Sequence, residues 1–119
     1  MKLYFDGGCR PAGIETAVVL AGRAYVAADL GPGTAMEAEW LALLAAVRLA
    51  HERGVADPVL LGDALAVIAQ ANGLVRCPIA HRHHLESFRS LPKPPGLRLR
   101  HLKRSQNLAG IALARLHDR

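Results

Sequence analysis

The sequence predicts an α/β fold, a five-stranded mixed sheet flanked by helices, on three observations. Three short β-type runs, separated by glycine and proline turns, occupy residues 2–30. A long helical period with its own start and stop signals follows them. Beyond it, strand-like apolar runs alternate with helical segments, as expected when strands join a sheet through helical crossovers. The 119 residues, 51% of them hydrophobic, fit a single domain over 1–119 with one core.

The first strand is read over Lys2–Asp6, punctuated by Gly7-Gly8 and then by Pro11-Ala12-Gly13. Thr16–Leu20 is a β-branched apolar run, and Ala21-Gly22-Arg23 turns it into a third strand over Ala24–Leu30. Turns this tight make the three an antiparallel meander, which Gly31-Pro32-Gly33 ends. Thr34 is placed to cap a helix, and Glu37 three residues later completes a capping box. That helix is expected from Ala35 to about Arg53, with Gly54 past its end and Met36, Trp40, Leu43, Leu44 and Val47 as its apolar stripe. Val59–Leu61 reads as a buried strand, after which Asp63 caps a helix over Ala64–Ala71, closed by Asn72-Gly73. A basic helix over His81–Ser90 and a stiff connector over Leu91–Gly96 come next. A strand over Leu97–Leu102 and an Ala- and Leu-rich helix over Ser105–Leu116 complete the chain.

The net charge of +5 is unevenly spread. Residues 1–75 hold five Lys or Arg against eight Asp or Glu, a net of −3, whereas residues 76–119 hold ten against two, a net of +8. Five of the six histidines also fall in the second part. An acidic part beside a basic part fits a metal centre flanked by a polyanion-binding surface; a solvated basic face is the plainer reading. Cys9 and Cys77 share no metal-ligand spacing and form no disulfide framework, so both read as small packed residues. No apolar run approaches the ~20 residues of a membrane span, and the start lacks a signal-peptide pattern. The expectation is a soluble, cytoplasmic protein with no membrane partner.

Asp6 and Asp63 end two hydrophobic strands, and Glu39 lies at the edge of the helix stripe. Singly, each has an ordinary explanation: Asp6 as a turn residue, Glu39 as a helix-surface residue, Asp63 as a helix cap. Together, two strand ends and one helix can converge their carboxylates on a divalent cation, a donor set suited to phosphodiester hydrolysis.

These residues resemble the motifs of ribonuclease H type 1 and the wider ribonuclease H-like nucleases. Tyr4-Phe5-Asp6-Gly7-Gly8 is similar to that family's first-strand signature, and Ala38-Glu39-Trp40-Leu41-Ala42 to its helix motif. Leu60-Leu61-Gly62-Asp63-Ala64 resembles its third motif with both serines replaced, and Asn107 to Ala114 resembles the last-helix motif "NxxADxLA". The resemblance spans essentially the whole chain in the family's order. It implies a ribonuclease H-like fold and an endonuclease that cuts the RNA strand of RNA/DNA hybrids with Mg²⁺ or Mn²⁺. Asp6 would then bridge two metals, and Glu39 and Asp63 would position one of them.

One departure stands out. The fourth carboxylate of the family's last helix falls on Ile111, preceded by Gly110, and an isoleucine cannot bind Mg²⁺. Asp118 lies too far along the helix axis to substitute without a bend, and Asp29, Glu86 or a carboxylate from a second subunit are further candidates without a specific signal. The expectation is therefore weak activity, better supported by Mn²⁺. The replaced serines and the scarcity of polar groups at the start of the Glu39 helix leave preference for a hybrid duplex open. Arg82, Arg89, Lys93, Lys103 and Arg104 are the expected phosphate contacts. His101, just before the Lys103-Arg104 loop, is a candidate for proton transfer. His81-Arg82-His83-His84 reads as a basic surface rather than a transition-metal site, because adjacent helix residues do not face one another. Two non-enzymatic readings compete: a nucleic-acid-binding domain that does not cut, and an interaction domain using the terminal helix.

Overall fold

The computed structural model describes residues 1–117. Its elements are β1 (Lys2–Arg10), β2 (Gly13–Leu20), β3 (Arg23–Ala27), α1 (Ala35–Glu52), β4 (Val59–Gly62), α2 (Leu65–Ala71), α3 (Arg82–Ser90), β5 (Arg98–His101) and α4 (Leu108–Leu116). They form one five-stranded sheet in the order β3-β2-β1-β4-β5. β1, β2 and β3 pair antiparallel, and β1–β4 and β4–β5 pair parallel. The mixed sheet expected from the sequence is the one observed. Among the described residues, no helix is long and apolar enough to cross a membrane.

Strand alternation sorts the central residues onto two faces. Leu3, Phe5, Val18 and Leu20 pack with Trp40, Leu43, Leu44 and Val47 of α1 in the main core. Tyr4, Ala17 and Val19 face Ala109 and Leu113 of α4 in a smaller cluster on the other side. α1 begins as its residues dictate: Thr34 Oγ1 accepts from the Glu37 N–H, and Glu37 accepts from the Thr34 N–H.

Several boundaries differ from the expectation; β2 already starts at Gly13, and four other differences bear on the site. β1 does not stop at Asp6 but runs through both glycines to Arg10, paired to Gly13 of β2. Gly7 is no turn: a Cβ there would run into the backbone of Ala38, so glycine is what lets α1 approach the strand. β3 ends at Ala27, because Leu30 and Gly31 bond back to Ile14 instead of continuing the ladder. Asp63 is not the cap of α2: Ala64 holds that position without a side-chain bond, which leaves the Asp63 carboxylate for other partners. α4 begins at Leu108, after a single 3₁₀ turn over Arg104–Gln106, with Asn107 as its cap.

Candidate active site

β1 outruns β4. Their pairing stops at Tyr4↔Leu61, so past Tyr4 the sheet has a gap between two parallel strands. Asp6 reaches this gap from β1, Asp63 from the end of β4, and Glu39 from α1. One carboxylate oxygen of each lies within 4.8 Å of the others. All three expected acids are therefore brought together, in a cleft of about 740 Å³.

The trio is held by the backbone and by one buried amide. The Gly7 N–H donates to Glu39 Oε1 at 2.5 Å. Asn107, fully buried, donates through Nδ2 to the Phe5 carbonyl at 2.9 Å and to Asp63 Oδ1 at 3.5 Å. Its Oδ1 accepts the Ala109 N–H at 3.1 Å, so one side chain ties α4, β1 and Asp63 together. The motif drew attention to Asn107, but its role as an anchor for Asp63 appears only in three dimensions.

Crowding carboxyls in a partly buried gap disfavours the charged forms of Asp6 and Glu39. Burial and the neighbouring Asp6 push the Glu39 carboxyl up to about 8. Burial raises Asp6 as well, with Asp63 adding to the rise; the hydrogen bond with Glu39 and the positive charge of Arg104 oppose it. Such a site is incomplete without positive charge. The donors present, all carboxylate oxygens, are those a hard divalent cation takes. Oxygens bound to one ion at ~2.1–2.4 Å lie at most ~4.2–4.8 Å apart, so little inward movement closes the trio on a cation.

The other expected residues scatter. Lys103 and Arg104 line the cleft, and His101, exposed at the end of β5, lines the same rim. Arg82 and Arg89 of α3 flank a different hollow, with Arg76 and Glu86. Lys93 is turned inward: its Nζ bonds the carbonyls of Phe88 and Leu91 and lies 4.6 Å from the Phe88 ring centroid. Burial lowers its pKa, so its charge serves the end of α3 rather than a phosphate.

Ile111 is 39% exposed, and the α4 residues lining the cleft are Gly110, Leu113 and Ala114. A Cβ on Gly110 would come within 3.1 Å of Asp6 Oδ2. Of the substitutes for the missing carboxylate, Glu86 belongs to the α3 hollow and Asp29 to the loop after β3. Asp118 lies outside the described residues. The cleft residues that sequence reasoning missed are Arg10 and Glu15. The signal for Glu15 was alternation, which places it on the face of Ala17 and Val19.

A family model described as reverse transcriptase-like matches residues 16–117. No curated protein sequence matches the chain significantly. Among solved structures, ribonuclease H1 from the halophilic archaeon Halobacterium salinarum NRC-1 is 26% identical, with a TM-score of 0.79 over 94% of this chain and 92% of that one. LC11 ribonuclease H1, isolated from compost, is 20% identical in its complex with an RNA/DNA hybrid, with a TM-score of 0.67 over 94% and 91%. The N-terminal ribonuclease H domain of a Mycobacterium tuberculosis protein is 20% identical, with a TM-score of 0.68 over 98% and 97%. At 20% identity these last two share the fold. With its family model matched from β2 to the end of α4, and with this sheet order, the chain belongs to the reverse transcriptase-like family and carries the ribonuclease H fold.

Proposed function

We propose that this protein is a metal-dependent endonuclease that hydrolyses the RNA strand of RNA/DNA hybrids. The observation that carries the reading is the convergence of Asp6, Glu39 and Asp63 to within 4.8 Å in an open cleft with Lys103 and Arg104 on its wall. The solved relative that holds a hybrid supports the choice of substrate. Mg²⁺ or Mn²⁺ bound by the three carboxylates would lower the pKa of a water and stabilise charge on the leaving oxygen. The chain's own residues do the rest. Asp6, whose Oδ2 faces Gly110 of α4 and which feels the positive charge of Arg104, would hold the cation on the α4 side of the cleft. Glu39, fixed by the Gly7 N–H, and Asp63, fixed by Asn107, keep their oxygens aimed into the cleft. Lys103 and Arg104 neutralise and orient the phosphate, and His101 at the rim is placed to hand a proton to solvent. Water adds to phosphorus and gives up a proton to solvent as the bond to the leaving sugar oxygen breaks, and that oxygen takes a proton from solvent.

A second reading is favoured by Ile111: a domain that grips nucleic acid without cutting it. Cleavage of a labelled hybrid in Mg²⁺ and in Mn²⁺ separates the two. The nuclease cuts the RNA strand, faster in Mn²⁺, and Asp6→Asn lowers the rate on the order of a thousandfold, as loss of several kcal/mol of metal assistance implies. Salt-sensitive binding without cutting, equal in wild type and Asp6→Asn, establishes the binder.

A further inference from the structure

The cleft contains a fourth carboxylate that does not belong to the acidic trio. Glu15 of β2 stands opposite Gly8, so it shares the α4 face with Asp6, about 7 Å further along the strands. It is only 5% exposed. Both of its oxygens lie 2.9 Å from Nε2 of His117, and Oε1 lies 3.3 Å from Nε of Arg10. The side chains of those partners remain open to solvent, 38% for His117 and 45% for Arg10.

Burying a carboxylate is costly unless it is paired, and here two donors pair it. In return the anion fixes two flexible groups at the cleft end, with the charge of Arg10 on the solvent side. The contact uses Nε of Arg10, which leaves the terminal N–H groups of the guanidinium for a second acceptor. That fork matches two oxygens of a phosphate. The strand order places this cluster on the β2 side of Asp6, whereas Lys103 and Arg104 follow β5 on the other side.

We propose that Arg10 and His117, held on the buried Glu15, form a phosphate-binding subsite that grips the nucleic-acid backbone beyond the cleavage centre. The inference rests on the nuclease reading of the cleft and adds a second anchor to it. The ligand is a backbone phosphodiester within a few nucleotides of the one being cut, since a strand advances ~3.4 Å per nucleotide. Glu15 is a positioning residue: it does not touch the nucleic acid.

The test is equilibrium binding of a fluorescent RNA/DNA hybrid in EDTA, where nothing is cut, over a salt series. Circular dichroism of each variant confirms the fold. Each lost phosphate contact lowers the slope of log K against log salt by about 0.9. Arg10→Ala is expected to lower it by about one and Arg10→Ala/His117→Ala by up to about two, so that the wild-type advantage shrinks roughly tenfold between ~50 and ~200 mM salt. Glu15→Gln removes a negative charge. A simple field effect would tighten binding, whereas loss of positioning loosens it, and loosening is the expected result. An unchanged slope in the double variant, or tighter binding by Glu15→Gln, overturns the subsite while leaving the nuclease reading intact. A wild-type protein that does not bind the hybrid overturns both.

Discussion

Glu39 and Trp40 are neighbours on α1, yet the helix treats buried polar groups in opposite ways on its two sides. Glu39 joins Asp6 and Asp63 at the sheet gap, where like charges collect and burial resists them. Trp40, fully buried, meets α3: the His84 ring stacks on it at 6.1 Å and His81 stacks on His84 at 6.2 Å. Trp40 Nε1, His81 Nδ1 and His84 Nε2 are buried there without a hydrogen-bond partner among the described residues. Burial, His83 and His81 lower the pKa of His84, against an opposing pull from Glu37. One side gathers acidic groups whose charge burial suppresses until a cation is added. The other packs a histidine whose charge burial disfavours. Conflict between local stability and charge therefore marks the working site, and its avoidance marks the scaffold.

The comparison breaks most severely if the acidic side loses its anchor. Asn107→Ala is expected to lower metal affinity and cleavage by ~10–100-fold, the usual effect of removing a group that orients a ligand. It also deletes the α4 cap and leaves the Phe5 carbonyl without its buried donor, costing about 2–4 kcal/mol in denaturant unfolding. Normal metal affinity in a folded variant would show that Asp63 needs no support.

Glu39→Gln tests the charge conflict itself. In EDTA the native Glu39 holds its proton up to about pH 8, whereas the unfolded chain releases it near the ordinary value of 4.5. Wild-type stability should therefore fall as pH rises from about 4.5 to about 8 and level off above that. Glu39→Gln should lose most of this slope and be more stable than wild type above pH 8, by on the order of 1–2 kcal/mol after solvent screening. With Mn²⁺ the order reverses, because only the wild type gains the full binding energy. Identical pH profiles in EDTA would remove the repulsion argument.

Ile111→Asp sharpens the same side by addition. The residue is 39% exposed, so its stability cost should stay within about 0.5 kcal/mol. If a fourth carboxylate is what the centre lacks, cleavage in Mg²⁺ should rise about tenfold, equivalent to ~1.4 kcal/mol, with less gain in Mn²⁺. No gain would mean that the α4 backbone, which turns Gly110 rather than Ile111 toward Asp6, holds the position too far from the centre.

Much of this was legible in the residues. The β-branched run of β2, the capping box of α1 and the turn at Ala21-Gly22 declared themselves because their causes are local. The three acids could be singled out because each ends or edges an apolar segment. What sequence could not give depends on approach between distant segments. Gly7 and Gly8 look like a turn until the Ala38 backbone explains the first of them. Asp63 looks like a helix cap until Asn107, 44 residues away, engages it. Lys93 looks like a surface cation until two carbonyls take it inward. Glu15 and His117 are 102 residues apart, and nothing in either neighbourhood announces the pair.

The smallest effect belongs to the neutral side of α1. The folded protein binds a proton at His84 less readily than the unfolded chain, so stability should fall as pH drops below the ordinary value of 6.5. His84→Phe keeps a ring against Trp40 and removes the proton site. It should flatten this acid limb, followed by the fluorescence of Trp40, the single tryptophan. The two sides thus tilt the stability profile of the metal-free protein in opposite directions. Removing Glu39 moves the pH of greatest stability upward, and removing His84 moves it downward. Shifts of the same sign in both variants would mean that α1 transmits one global charge effect. Opposite shifts, adding in the double variant, would show that its two faces titrate independently, as residues with no shared partner should.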